Sequence, residues 1–159
     1  MRCYFLRHGI AVDPEQWPGK DFDRPLTGEG RARMGREAKT IAELDLNLDV
    51  IVTSPLERAK QTAAIVAEKL KLQDRLVEDS RLGLGFEPSR LGEVLRAHPG
   101  AGAMLLVGHE PGMSLTIGRV VGGARIDFKK GSLACVSFTD PSSLTGELAW
   151  LVPPKLLAL

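Results

Sequence analysis

The fold turns on CYFLRHG, residues 3–9. An apolar run, Cys3–Leu6, passes directly into Arg7, His8 and Gly9. A short unbroken apolar run closed by a glycine is the pattern of a strand buried on both faces. This one delivers a guanidinium and an imidazole to its carboxyl end. Two later stretches repeat the plan. Val50-Ile51-Val52 leads into Ser54-Pro55-Leu56-Glu57-Arg58, and Met104–Val107 leads into Gly108-His109-Glu110-Pro111-Gly112.

Helical patterns lie between these strands. Thr27 is expected to cap a helix with Glu29 in its first turn, whose apolar face is Met34, Ala38, Ile41 and Ala42. Ser54 and Glu57 read as a capping box with Pro55 at the first helical position, and Ala59, Ala63, Val66, Ala67 and Leu70 continue one face. Leu76-Val77 is a short strand candidate. A helix is expected from Ser89 through Leu91, Val94 and Leu95, and another over 113–121, stopped by Gly122-Gly123. Residues 133–138 and 148–152 read as two final strands joined by a turn, and the proline-bearing stretch 10–26 as a long loop. Strands alternating with helices imply a largely parallel sheet covered on both faces. The chain of 159 residues is expected to form one domain over 1–159.

Composition narrows the functional classes. Charged residues make up 26% and the net charge is +1, with no basic run of the kind that binds nucleic acid. No apolar stretch is long enough to span a bilayer, and no secretory leader pattern is present, so a cytoplasmic protein is expected. Cys3 and Cys135 both sit in apolar runs without metal-ligand spacing and read as reduced core residues; no metal or other cofactor is expected.

In a sheet of this kind, ligands bind beyond the carboxyl ends of the strands. Parallel pairing brings Arg7 and His8, then Ser54 and Arg58, then His109 to one edge. Arginine forks match phosphate oxygens and stay charged, a helix N-terminus adds N–H groups, and a neutral imidazole is able to attack. Taken singly, Arg7 is a strand-end arginine, Arg58 a solvated helix residue, and His8 and His109 structural histidines. Together they form a cradle for a phosphoryl group with His8 as its acceptor. His98, at a helix end in RAHPG, has no such company and reads as structural.

LRHG (6–9), SPLERAKQTA (54–63) and VGHEPG (107–112) resemble, in order and spacing, the motifs of the histidine phosphatase superfamily, also called phosphoglycerate mutase-like. The small size and RPLTGEG (24–30) are most similar to its SixA-type phosphohistidine phosphatases. The resemblance implies a three-layer α/β/α sandwich with a mostly parallel central sheet, and phosphoryl transfer without a metal. His8 would become a phosphohistidine, with Arg7, Arg58 and His109 lining the phosphate pocket.

Two departures bear on the substrate. SixA-type members often have Asn after the second histidine, where this chain has Glu110. A distant branch of the superfamily has an acidic proton donor at that position, while the larger members take theirs from a Glu after the third strand, a region that here contains Glu87. Glu110 is therefore either a helix-start carboxylate or an acid at the substrate, and Glu87 a loop carboxylate or an acid. Arg24 is either a third cation for the substrate or half of a surface ion pair. An alcohol ester needs a general acid, whereas an imidazole with a pKa of about 6.5 leaves more readily. A chain without an obvious acid is expected to cleave phosphohistidine in a protein partner. Small phosphate esters are the alternative substrates, and a non-catalytic phosphate-binding module is the alternative of another class.

Overall fold

The computed structural model describes residues 1–159. Its centre is a six-stranded sheet built from β1 (Arg2–Arg7), β2 (Val50–Thr53), β3 (Leu76–Glu78), β4 (Ala103–Gly108), β5 (Leu133–Asp140) and β6 (Thr145–Val152). The spatial order is β3-β2-β4-β1-β5-β6. The first four strands in that order run parallel, while β5 is antiparallel to β1 and β6 to β5. A three-residue turn at Pro141–Ser143 joins the last two.

Alternation along the buried strands divides the core in two. Tyr4 and Leu6 of β1 face α1 (Gly28–Glu43) and α2 (Glu57–Leu70), where they meet Met34, Ala38, Ile41, Ala63 and Val66. Cys3 and Phe5 face the other way, toward α3 (Pro88–Ala97) and α4 (Gly112–Val120), among Leu91, Val94, Met113 and Ile117. The result is the three-layer α/β/α sandwich, with a short α5 (Pro154–Leu157) closing the α1 side. The two-faced burial explains why these strands read as continuous apolar runs. It also separates the cysteines: Cys3 lies in one cluster and Cys135 in the other, both free. Burial pushes the Cys3 thiol up to about 12, which suits an inert core residue.

Three local expectations need correction. Ala42 is exposed, and Ile41 beside it is the last core residue of α1. Thr27 does cap α1, accepting from the Gly30 N–H at 2.8 Å. Ser54, however, does not cap α2. The helix begins at Glu57, its cap position is Leu56, and no side chain caps it. Ser54 is the last turn of backbone before the helix, and its hydroxyl is used elsewhere. The third concerns α3, which starts at Pro88, one residue before Ser89.

The parallel register sets the site. Arg7 pairs with Gly108 and Thr53 with Val107, so His8, Ser54 and His109 all lie one residue past the ladder at the same edge. The His8 N–H reaches the Gly108 carbonyl at 3.1 Å and the Ser54 N–H reaches that of Val107 at 3.0 Å. Gly30 lets the start of α1 lie against the chain just after His8, since a Cβ there would collide with the Ile10 carbonyl oxygen.

Candidate active site

At the carboxyl edge the His8 and His109 rings stand 5.2 Å apart between centroids, tilted by 53°. Both are buried, at 6% and 3% exposure, as is Arg58 at 4%. Arg7 ends β1 and is half-buried; its Nη1 donates to the Phe128 carbonyl at 2.9 Å, which ties the guanidinium to the loop before β5. The two largest hollows of the molecule, about 490 and 470 Å³, contain none of these four residues. The larger is lined in part by His98, at the C-terminal end of α3.

Hydrogen bonds fix the proton on His8. Its Nδ1 lies 2.7 Å from the Gly9 carbonyl oxygen, which is only an acceptor. Nδ1 therefore carries the hydrogen in the neutral ring, and the lone pair is on Nε2. Gly9 is itself held: its N–H donates to Thr62 Oγ1 at 3.0 Å, and that hydroxyl donates to the Arg58 carbonyl at 2.8 Å. Burial is the main reason the His8 pKa falls to about 3, with His109, Arg58 and Arg7 adding to it against the Gly9 contact. A neutral, oriented imidazole is a nucleophile at neutral pH.

His109 is held from the other side. Its Nε2 is 2.8 Å from Ser54 Oγ, which also accepts the Leu56 N–H at 3.2 Å. The serine hydrogen finds its acceptor in the ring nitrogen, which leaves the His109 hydrogen on Nδ1. Burial, then Arg58, push its pKa down to about 4, partly opposed by Asp21. Three buried nitrogens of the cluster have no hydrogen-bond partner in the protein: Arg7 Nε, Arg58 Nε and His109 Nδ1. Buried donors of this kind are normally satisfied. An anion seated beside His8 Nε2 would supply acceptors for donors of this cluster.

Arg58 lies in the first turn of α2. Its Nη1 donates to the Asp21 carbonyl at 2.9 Å and its Nη2 to the Asp21 carboxylate at 3.2 Å. The same carboxylate takes Arg24 Nε at 3.0 Å, while Arg24 Nη1 donates to the Val12 carbonyl at 2.7 Å. Arg24 is thus seen in one of the two roles its sequence context allowed. It is half of an ion pair, and it stands close enough to lower the pKa values of Arg58 and His109.

Glu110 and Glu87 sit differently. Glu110 receives the Ser114 N–H at 2.8 Å and the Ser114 hydroxyl at 2.6 Å, so its carboxylate is occupied at the start of α4. From there it raises the pKa of Arg7 against the larger effect of burial. Glu87 is exposed, accepts from Ser89 Oγ at 2.7 Å and makes no hydrogen bond to the four central residues. No group of three or more His, Cys, Asp or Glu side chains is placed to hold a metal ion.

Sequence reasoning passed over Asp21, Gln61 and Thr62, and misassigned Ser54. Arg58, Gln61 and Thr62 fall at helical i, i+3, i+4 spacing, which puts them on one face of α2. Gln61 accepts the Leu26 N–H at 2.8 Å, so that face binds the 10–26 loop as well as the turn at Gly9. That spacing was a usable signal; nothing local marked Asp21.

Residues 3–82 match the family model of the histidine phosphatase superfamily, branch 1. The chain belongs to that superfamily. An uncharacterised protein of Picosynechococcus sp. is 39% identical over 118 residues, which is 70% of this chain and 67% of the relative. Among solved structures, the protein histidine phosphatase SixA complexed with tungstate superposes with a TM-score of 0.87 at 23% identity, covering 99% of both chains. The alpha-ribazole phosphatase of Shigella flexneri superposes at 0.73 with 19% identity, covering 97% of each. At such identities the superpositions speak for the fold, and they match this histidine phosphatase along nearly its whole length. No helix is long and apolar enough to cross a membrane.

Proposed function

We propose that this superfamily member is a phosphohistidine phosphatase that passes the phosphoryl group through His8. The observation that carries the reading is the His8 ring itself. It is neutral, pinned through Nδ1 to the Gly9 carbonyl, and bordered by buried arginine and histidine nitrogens without protein partners. His8 Nε2 attacks phosphorus in line, while Arg7, Arg58 and His109 hold the equatorial oxygens. Charge spread over those oxygens in a loose transition state makes positioning and positive charge the main contribution. Water then attacks the phosphohistidine, and His8 leaves as the neutral ring with its Nδ1 hydrogen in place. Residues 1–159 act as one domain in this reading, since both helical layers pack on a single sheet.

The substrate class follows from the carboxyls. Glu110 is engaged twice by Ser114, Glu87 by Ser89, and Asp21 is paired with two arginines. None of them is a free acid for an alkoxide. A leaving imidazole needs no such acid, so the partner is a phosphohistidine-bearing protein. The alternative, a small phosphate ester, has a parallel in the Shigella flexneri neighbour named as an alpha-ribazole phosphatase. The deciding experiment compares kcat/KM on a phosphohistidine peptide and on an alkyl phosphate. Preference for the peptide is expected, with loss of turnover on both in His8→Ala. Efficient alkyl ester hydrolysis with a poor peptide rate would overturn the substrate assignment.

A further inference from the structure

We propose that Asp21 selects and activates the leaving group, its carboxylate receiving the distal ring N–H of a protonated phosphohistidine. The inference rests on the phosphohistidine reading above. Asp21 sits in a one-turn helix within the 10–26 loop and bridges two site arginines. Oδ1 takes Arg24 Nε at 3.0 Å, Oδ2 takes Arg58 Nη2 at 3.2 Å, and its carbonyl takes Arg58 Nη1 at 2.9 Å. The arginine side chains are 4% and 12% exposed, but that of Asp21 is 50% exposed. The carboxylate therefore lies on the solvent side of the cations. His109 feels its charge. Each carboxylate oxygen accepts about two hydrogen bonds, so one site on each remains open.

That position answers a problem the substrate poses. A phosphorylated imidazole departs well only when its other nitrogen is protonated. The ring then leaves neutral, with the pair from the broken P–N bond on the nitrogen that carried phosphorus. A cationic ring approaching this site meets Arg24 and Arg58, both positive, and a neutral His109. Glu110 is held by Ser114 and acts on Arg7, whereas Arg58 and His109 feel Asp21. Asp21 is the anion that offsets the two arginines where the ring arrives.

The step balances. Solvent supplies the proton on the distal nitrogen, and it stays there as that ring departs. The His8 Nε2 pair forms the new P–N bond, and His8 becomes the phosphorylated cation with its Nδ1 hydrogen on the Gly9 carbonyl. Positive charge thus moves from the ring facing Asp21 to the ring facing Gly9. The same carboxylate repels leaving groups that are themselves anionic.

The test uses Asp21→Asn with a phosphohistidine peptide, p-nitrophenyl phosphate and orthovanadate, from about pH 5.5 to 8.5. Loosening of Arg58 affects both substrates; the extra loss falls on the peptide. The peptide-to-aryl ratio of kcat/KM is expected to drop about 10- to 100-fold. The high-pH limb of peptide turnover should move to lower pH, and vanadate should still inhibit, showing an intact pocket. A proportional loss on both substrates with no movement of the limb would make Asp21 a mere support for the arginines and overturn the inference. Tighter vanadate binding with faster turnover of both would make it a competing anion, with the same consequence. A wild-type enzyme that cleaves the aryl ester but not the peptide would instead bring down the phosphohistidine reading, and this inference with it.

Discussion

Removing one hydroxyl, in Ser54→Ala, separates the two jobs that the structure gives this residue. Ser54 is fully buried, accepts the Leu56 N–H at 3.2 Å and meets His109 Nε2 at 2.8 Å. The variant strands a buried ring nitrogen and a buried N–H, each with a desolvation penalty of about 1–3 kcal/mol. Partial relief at the first turn of α2 brings the expected loss of unfolding free energy to about 2–3 kcal/mol, readable by urea denaturation. The catalytic effect is separate. Without the serine hydrogen, His109 is free to move its own hydrogen to Nε2 and to turn a lone pair toward the phosphoryl oxygens. Loss of one preorganised donor of this kind lowers kcat about 10²-fold. Steady-state kinetics on the folded variant measure this, and nitrogen NMR of labelled histidine reads the tautomer. A folded Ser54→Ala enzyme with kcat within about twofold of wild type would refute the assignment of the Nδ1 hydrogen.

Other expectations follow from the same geometry. Arg58→Lys replaces a fork held at two points by Asp21 with a single ammonium, and kcat/KM should fall about 10²-fold with the fold retained, as judged by circular dichroism. Glu37 is buried in α1 beside Arg33, and desolvation raises its pKa to about 7. Its folded-state value lies above the unfolded one, so the native state holds the extra proton between them. Stability falls as pH rises from the ordinary carboxylate range through about 7. Glu37→Gln should therefore raise Tm more at pH 8 than at pH 5, and an equal change at both would contradict the burial argument.

The elements that read clearly from sequence were those whose environment is uniform. Cys3–Leu6 and Met104–Val107 are covered on both faces, so unbroken apolar runs had one meaning, and their parallel register brought His8 beside His109. Ser54 was harder, because serine three residues before glutamate describes a capping box equally well. Only the strand-to-helix turn shows that the helix begins at Glu57 and that the hydroxyl goes to His109. Glu37 was hidden for another reason: it occupies an inward position between Met34 and Ala38 and Ile41, where apolar periodicity has no place for a carboxylate. Asp21 lies in a loop whose shape comes from contacts to α2, through Arg58 and Gln61, and local sequence carries no record of those contacts.

The most direct measurement is rapid acid-free quenching of the enzyme with a phosphohistidine peptide, followed by mass spectrometric mapping of the bound phosphate. An acid-labile phosphoryl group is expected on His8, forming and decaying at rates consistent with turnover. Phosphate mapped to another residue, or full product formation in a single turnover with His8 never modified, would contradict this expectation.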